Sequence, residues 1–394
     1  MGRTPEAMVA PELLVWARED LGLDLATAAK KIGVSEARLA SWEEGEVRPS
    51  IAQLRKAASV YKRPLAVFYL PEPPRGFRAL SDFRRAPGSR AGGASPELRL
   101  AIRRARSQRD TWIELRGLLD EPFAEPPRLV DARQSPESFA KSARALLDLS
   151  LELQYGWGSE HRALSGWISS LEALDILVLH TQGVDVREMR GFSLSDGGAP
   201  VIVLNGSDSV RGRIFTALHE FAHILLNNTG VCDLHDGRDA DASEDIEVFC
   251  NRVAAAILLP EDALRAEPAL SRRRVSGRWE EAELHALAER YSVSREVVLR
   301  RLFAMGYTTW EFLQGRVDAY RVAYRLQKQR EAASSGGPSW YRIHLRDIGR
   351  DYTRTALDAY HRSEITSSEL SDYLEVKLNK LPKFEEEFAR VSAA

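Results

Sequence analysis

At 394 residues the chain exceeds what one small hydrophobic core can organise, so two or three domains are expected. Hydrophobic residues make up 44% and charged residues 28%, the balance of a soluble globular protein, and a net charge of −2 excludes a molecule-wide pull toward nucleic acid while leaving room for local basic faces. No apolar run approaches the roughly 18 residues of a membrane span. Met1 to Glu12 lacks the apolar core of a secretory signal, and Cys232 and Cys250 are too few for a disulfide framework, so a cytoplasmic protein without a membrane partner is expected.

Residues 11–70 read as a compact helical domain. Leu13, Leu14, Val15, Ala17 and Leu21 give a first helix its apolar positions. Between Asp24 and Gly45 the pattern is helix, turn, helix: Asp24 caps the first, Gly33 makes the tight turn and Ser35 caps the second. Pro49-Ser50 opens a further helix from Ile51 to Tyr61, and Leu65 to Leu70 begins another. The Gly33-Val34-Ser35 turn, the Trp42-Glu43-x-Gly45 helix end and Arg48-Pro49-Ser50 resemble the lambda-repressor-like (XRE-type) helix-turn-helix family. In that family the start of the second helix of the motif enters the major groove. The resemblance therefore implies that Ser35, Glu36, Arg38 and Ser41 face DNA. Two residues depart from the pattern: Leu25 stands where the family often has a backbone-contacting Gln, and Glu36 is a poor neighbour for phosphate. A dimerisation or substrate-docking module on the same fold is the other reading.

Pro71-Glu72-Pro73-Pro74 begins a stiff linker that continues into a flexible Gly-rich stretch, and a linker is expected over residues 71–95. Leu98 to Leu119 has helical periodicity and carries Arg99, Arg103, Arg104, Arg106 and Arg109, which read as a solvated face rather than a nucleic-acid face. Two more helical patterns follow, Ser138 to Leu149 and His161 to Leu174. Then Ile176 to Leu179, Gly191 to Leu194 and Pro200 to Asn205 read as strands, with Asp196-Gly197-Gly198 as a hairpin-like turn. They predict a small antiparallel sheet whose edge can take an extended peptide by strand addition.

Thr216 to Leu226 is an apolar helical run containing His219-Glu220-x-x-His223. Histidines four apart share a helix face and can bind one Zn²⁺. Glu220, beside the pair, is placed to take a proton from a water that the metal activates. A second helix, Glu244 to Leu259, offers Glu247 as third ligand, and Asn251 one turn later is spaced to hydrogen-bond a ligand and orient it. Such a His₂-carboxylate set also suits Mn²⁺ or Fe²⁺. Cys232 and Cys250 read as buried structural thiols, and His235, in the polar loop between the two helices, as an exposed loop residue.

Leu284 to Leu302 repeats a helix-turn-helix texture without a basic face and reads as support for the site. Residues 331–338 read as a second linker, followed by a helical segment, 339–394, with a capping box at Thr366-Ser367-Ser368-Glu369. That segment is too small for a strong core of its own and is expected to pack on the metal domain, on a second subunit, or near the cleft as a flap.

From Ile176 to about Leu313 the chain resembles the ImmA/IrrE family of metallopeptidases, through Arg213 to His223 and through Glu247-x-x-Cys250-Asn251-x-x-Ala254-Ala255-x-x-Leu258-Leu259-Pro260. The resemblance implies zinc on His219, His223 and Glu247, with Glu220 as catalytic base. It also implies a regulatory endopeptidase that cleaves a transcriptional repressor, of helix-turn-helix type, in response to stress or DNA damage. The alternative is a DNA-binding transcriptional regulator whose metal domain acts as a sensor or switch. Partners on these readings are a repressor substrate, DNA at the N-terminal domain, and a second copy in a homodimer. The expected fold is mainly α with a small antiparallel sheet (α+β). Its expected parts are a helix-turn-helix domain over residues 1–70, a zincin-like domain over 96–330 and the C-terminal helical segment.

Overall fold

Proline at its first position, where no amide is needed, starts α1 (Pro11–Asp20) in the computed structural model. The structure describes residues 6–74, 94–125, 129, 134–195, 198–227, 240–271, 277–332 and 339–392. Asp24 accepts the Thr27 amide at 2.6 Å and opens α2 (Leu25–Ile32); Ser35 accepts the Arg38 amide at 3.2 Å and opens α3 (Glu36–Glu43). Between them Gly33 sits at φ +83°, a conformation that costs a residue with a Cβ about 1–2 kcal/mol. Ser50 and Gln53 form a reciprocal capping box that opens α4 (Ile51–Val60).

The Leu65–Tyr69 run closes as a single 3₁₀ turn rather than a longer helix, because Pro71, Pro73 and Pro74 cannot continue one. Leu13, Leu14, Ile32, Leu39, Trp42, Leu54, Tyr61 and Phe68 form the core of this unit. Its last part is the start of α5 (Pro96–Leu118): the chain divides into two compact units after Arg104, inside that helix. The arginines of α5 are not a solvated face. Arg99 donates to the Glu19 carbonyl at 3.3 Å, Arg103 to the Asp20 carboxylate at 3.3 Å and to the Lys62 carbonyl at 2.6 Å. Farther along, Arg116 is buried against Asp175. Their partners lie far off in sequence, so helical periodicity gave no sign of them.

The second unit holds α6 (Pro136–Leu146), α7 (Leu151–Gly156), α8 (Glu160–Glu172), then β1 (Leu177–Thr181), β2 (Gly191–Leu194) and β3 (Val201–Asn205). After them come α9 (Val210–Asn227), α10 (Ala240–Leu258), α11 (Glu261–Ala266), α12 (Pro268–Ser271), α13 (Glu281–Tyr291), α14 (Arg295–Ala304) and α15 (Trp310–Ala332). The fold is α+β, helix-rich around a three-stranded sheet in the order β1-β3-β2. The sheet is mixed rather than wholly antiparallel: β2 pairs antiparallel with β3, but β1 pairs parallel, Leu177 opposite Val201. Central β3 is buried throughout, and its unbroken Val201-Ile202-Val203-Leu204 run suits a strand covered on both faces. Asn205 fixes the β1–β2 connection by donating to the carbonyls of Val184 and Met189 at 3.0 and 2.8 Å.

The C-terminal segment, α16 (Trp340–Ile348), α17 (Arg350–His361), α18 (Ser367–Tyr373) and α19 (Leu381–Ser392), packs on the metal-bearing unit. Of the three expected placements this is the one observed. α16 and α17 lie along β1, and Gly349 between them sits at φ +93° with its missing Cβ 2.8 Å from the Val178 carbonyl oxygen. Trp112 of α5 donates to Thr355 Oγ1 at 3.3 Å, and Thr366 and Glu369 form the expected capping box. The turn at Asp196-Gly197, the loop with Cys232 and His235, and linker residues 75–93 and 333–338 lie outside the described residues.

Candidate metal centre

Helix α9 is a buried axle. Ile214, Ala217, Leu218, Phe221, Ala222 and Leu225 are all inaccessible to solvent, packed between α8, α10 and the sheet. Burial of this stripe sets the helix rotation, and the rotation puts His219 and His223 on the side facing α10. α10 buries Cys250, Val253, Ala254 and Ile257, which brings Glu247 round to the same place. Among the described residues, His219, His223 and Glu247 are the one group whose ligand atoms gather within reach of a single ion, all within 4.8 Å of one another.

The distances are tighter than that bound. The two Nε2 atoms lie 3.1 Å apart. Glu247 Oε2 is 3.3 Å from His219 Nε2, and Oε1 is 3.1 Å from His223 Nε2. Zinc bonds of about 2.0–2.1 Å place neighbouring ligand atoms of a tetrahedron about 3.3–3.4 Å apart. Two imidazoles and a carboxylate at these separations therefore fit a divalent ion, leaving a fourth position unclaimed by these three. Burial alone would raise the Glu247 carboxyl, but hydrogen bonds from His219 and His223, and their charge, draw it well below the usual carboxylate range. Burial opposes charge on His223 as well; contacts with the Cys250 thiol and Glu247 and the nearby charge of Glu220 outweigh it and hold the imidazole well above its usual range. The carboxylates of Glu247 and Glu220 thus hold a proton on His223, and a divalent ion binding these donors would have to displace it.

Glu220 follows the first histidine and is almost fully buried. Its Oε2 accepts a hydrogen bond from Ser193 Oγ at 2.9 Å. Ser193 lies on β2, two residues after Gly191, whose missing Cβ falls 2.4 Å from Thr216 Cγ2 and 2.9 Å from the Val203 carbonyl oxygen. Neither residue stood out in the sequence, although strand alternation puts 191 and 193 on one face. Cys250 packs one turn beyond Glu247, against His223, and burial raises its thiol. Asn251 donates to the Glu247 backbone carbonyl at 2.7 Å, an intrahelical bond that does not reach the carboxylate.

In the helix-turn-helix unit the four residues expected to face DNA divide into two kinds. The Ser35 hydroxyl caps α3 and the Ser41 hydroxyl donates to the Arg38 carbonyl at 2.9 Å, so both are engaged by their own helix. Glu36 and Arg38 are exposed, one acidic and one basic, and α3 shows no dominant positive face.

Comparison with known families agrees with this division. Residues 171–303 match the peptidase-family model described as the IrrE N-terminal-like domain, and residues 14–68 match the model described as helix-turn-helix. No curated protein matches the chain. The first match runs from the end of α8 through α14 and encloses His219, Glu220, His223 and Glu247; the chain therefore joins an XRE-type helix-turn-helix domain to an ImmA/IrrE-type peptidase domain.

Proposed function

We propose that the protein is a zinc-dependent regulatory endopeptidase that cleaves a transcriptional repressor of helix-turn-helix type in response to stress or DNA damage. The observation that carries this reading is the meeting of His219, His223 and Glu247 beside the buried carboxylate of Glu220. His219, His223 and Glu247 would hold the ion. Zn²⁺ there, or Mn²⁺ or Fe²⁺ on the same donors, would supply Lewis acidity toward a peptide carbonyl and toward a water. Glu220 takes a proton from the attacking water and returns it to the leaving amine. Strand β2 pairs on one side with β3 and is otherwise an edge among the described strands, so an extended peptide can add to it beside Glu220.

No helix among the described residues is long and apolar enough to cross a membrane, in keeping with a cytoplasmic regulator. The helix-turn-helix unit supplies recruitment, either of a repressor of like fold or of the DNA that it occupies, and such domains commonly act as homodimers. The test is a search for new protein N-termini in host cells, with and without DNA damage, comparing wild type with Glu220→Gln. One or two repressors cut only when Glu220 is present support the proposal; an identical set of termini in both strains overturns it.

A second reading rests on the helix-turn-helix match over residues 14–68: a DNA-binding regulator whose metal domain is a sensor. Salt-dependent operator binding that responds to metal and is indifferent to Glu220→Gln would favour it.

A further inference from the structure

We propose that the C-terminal segment carries a binding surface for single-stranded nucleic acid. It is built from Trp340 and Tyr341 at the start of α16, Lys380 just before α19 and Lys383 in its first turn. All four lie beyond the last residue of either family match. Trp340 is 47% exposed, although tryptophan is among the residue types most buried on average. The ring is nonetheless held in place. It stacks on His344, one turn further along α16, with centroids 4.5 Å apart and 15° between the planes. His344 is fixed in turn: its Nε2 donates to the Leu374 carbonyl at 2.8 Å, and its ring meets buried Phe384 edge-on at 5.7 Å. Tyr341 stands beside Trp340, 5.1 Å away and turned by 78°. Two rings are thus set at the surface before any ligand arrives, so a base that stacks on them orders little that is not already ordered.

Each ring has its own cation. Lys380 Nζ lies 5.3 Å from the Trp340 ring centroid, and Lys383 Nζ lies 5.2 Å from that of Tyr341. Both lysines are exposed, as is Lys377, and none of the three has a carboxylate partner among the described residues. The acids of α19 are engaged elsewhere: Glu385 with His361, Glu386 with Arg390, and Glu387 with Arg342 and Arg390. The run from Lys377 to Lys383 itself contains no acid. An exposed ring with a solvated ammonium beside it matches the two halves of a nucleotide: the base takes the ring and the phosphate takes the cation. The pairing occurs twice, which suits successive nucleotides of one strand. A duplex keeps its base faces stacked inside and cannot use the rings, and an acidic peptide would use the lysines alone.

Fluorescence anisotropy of a labelled twelve-residue oligothymidylate with the full-length protein tests this. Trp340→Ala should weaken binding about tenfold, within the range for loss of one base stack, while Trp340→Phe should stay close to wild type. Lys380→Gln and Lys383→Gln should each reduce the slope of log K against log salt by about 0.7, the worth of one phosphate contact on a single strand. Binding of a duplex of the same length, which the helix-turn-helix unit can take up, should be unchanged in all four variants. No binding of the oligothymidylate at low salt overturns the proposal. So does a Trp340→Ala protein that binds it as wild type does, or one that loses duplex binding equally. Competition closes the remaining routes: poly-glutamate as effective per charge would reduce the surface to charge alone, and thymidine monophosphate as effective per nucleotide would make it a site for free nucleotides; either overturns the strand. Hydrogen exchange over α16 and α19 should match wild type in Trp340→Ala. If it does not, the lysine variants decide, since they leave both rings in place, and unchanged salt slopes there overturn the proposal.

Discussion

The backbone carbonyl of Arg346 meets Nδ1 of His180 at 3.1 Å, and through that contact the C-terminal segment is tied to the first strand of the sheet. His180 is nearly inaccessible; burial, with the charges of Arg213 and Arg346, holds its imidazole well below the usual range, so it stays neutral. Gln182, one strand position beyond Thr181, donates to Asp347 of the same segment.

This seam predicts that the segment is part of the metal-bearing fold. Gly349→Ala forces a Cβ to within 2.8 Å of the Val178 carbonyl oxygen at φ +93°, and should cost about 1–3 kcal/mol. Thermal unfolding of the full-length protein would show one transition shifted down by several degrees. If only a separate C-terminal transition moves, and hydrogen exchange in β1 is unchanged, the segment is an independent module and the prediction is lost.

At the metal centre, His223→Ala removes one of three ligands and should abolish both zinc retention and cleavage. Glu220→Gln leaves the ligand set intact and should retain zinc while losing activity by a factor of about 10²–10⁴, the usual worth of a general base. Zinc content and peptide cleavage measured on the same preparations separate the two cases. A Glu220→Gln protein as active as wild type would falsify the assignment of the base, and a His223→Ala protein with full zinc would contradict the ligand set.

How much of this was open to sequence reading depends on how local each relationship is. The His219–His223 pair and the caps at Asp24, Ser35 and Thr366 follow from spacings of three or four residues, where helical geometry leaves little choice. Glu247 was legible because the α10 apolar stripe fixes which face it shares. Ser193 was not: its bond to Glu220 joins a strand to a helix 27 residues away, and a serine in a strand usually only faces water. The parallel pairing of β1 with β3 was hidden for a like reason. Strand direction depends on which neighbour lies between, and periodicity carries no information about that. At Asn251 spacing suggested a bond to a ligand, and the folded chain supplies the Glu247 backbone carbonyl; the arginines of α5, read as a solvated face, meet partners far off in sequence such as Asp20.

The junction of α8 and α17 predicts an alkaline loss of stability. Glu172 accepts the Asp351 amide at 3.4 Å, and burial together with the charge of Asp351 pushes its carboxyl up to about 8 from an ordinary value near 4.5. The folded state therefore keeps a proton that the unfolded chain gives up. This contribution is complete below pH 4.5 or so and drains away as pH rises toward 8. Glu172→Gln, which is neutral at every pH, should raise the unfolding temperature relative to wild type most at pH 8 and least near pH 5. A difference between the two proteins that stays constant over this interval would refute the prediction. His180 works in the other direction, since a neutral buried imidazole loses stability only as pH falls below about 6.5, and that loss should be common to both proteins.

On α3 the two exposed charged residues carry opposite expectations for DNA and for a protein partner. Arg38 is exposed one turn into the helix, and Glu36 is exposed at its first position. If the unit docks on DNA, Arg38→Ala should weaken operator binding several-fold and lower the salt slope by about one, as the loss of one phosphate contact does. Glu36→Gln should strengthen it by removing a like charge from the phosphate surface. If the unit instead recruits a repressor, both substitutions should leave DNA binding at a weak, nonspecific level and change the rate at which the repressor is cut. Because neither side chain belongs to the unit's core, unfolding temperature should stay within a degree or two of wild type. Binding titrations at two salt concentrations, run beside repressor cleavage with the same full-length variants, decide between the two. Unchanged DNA binding together with unchanged cleavage would remove α3 from both roles.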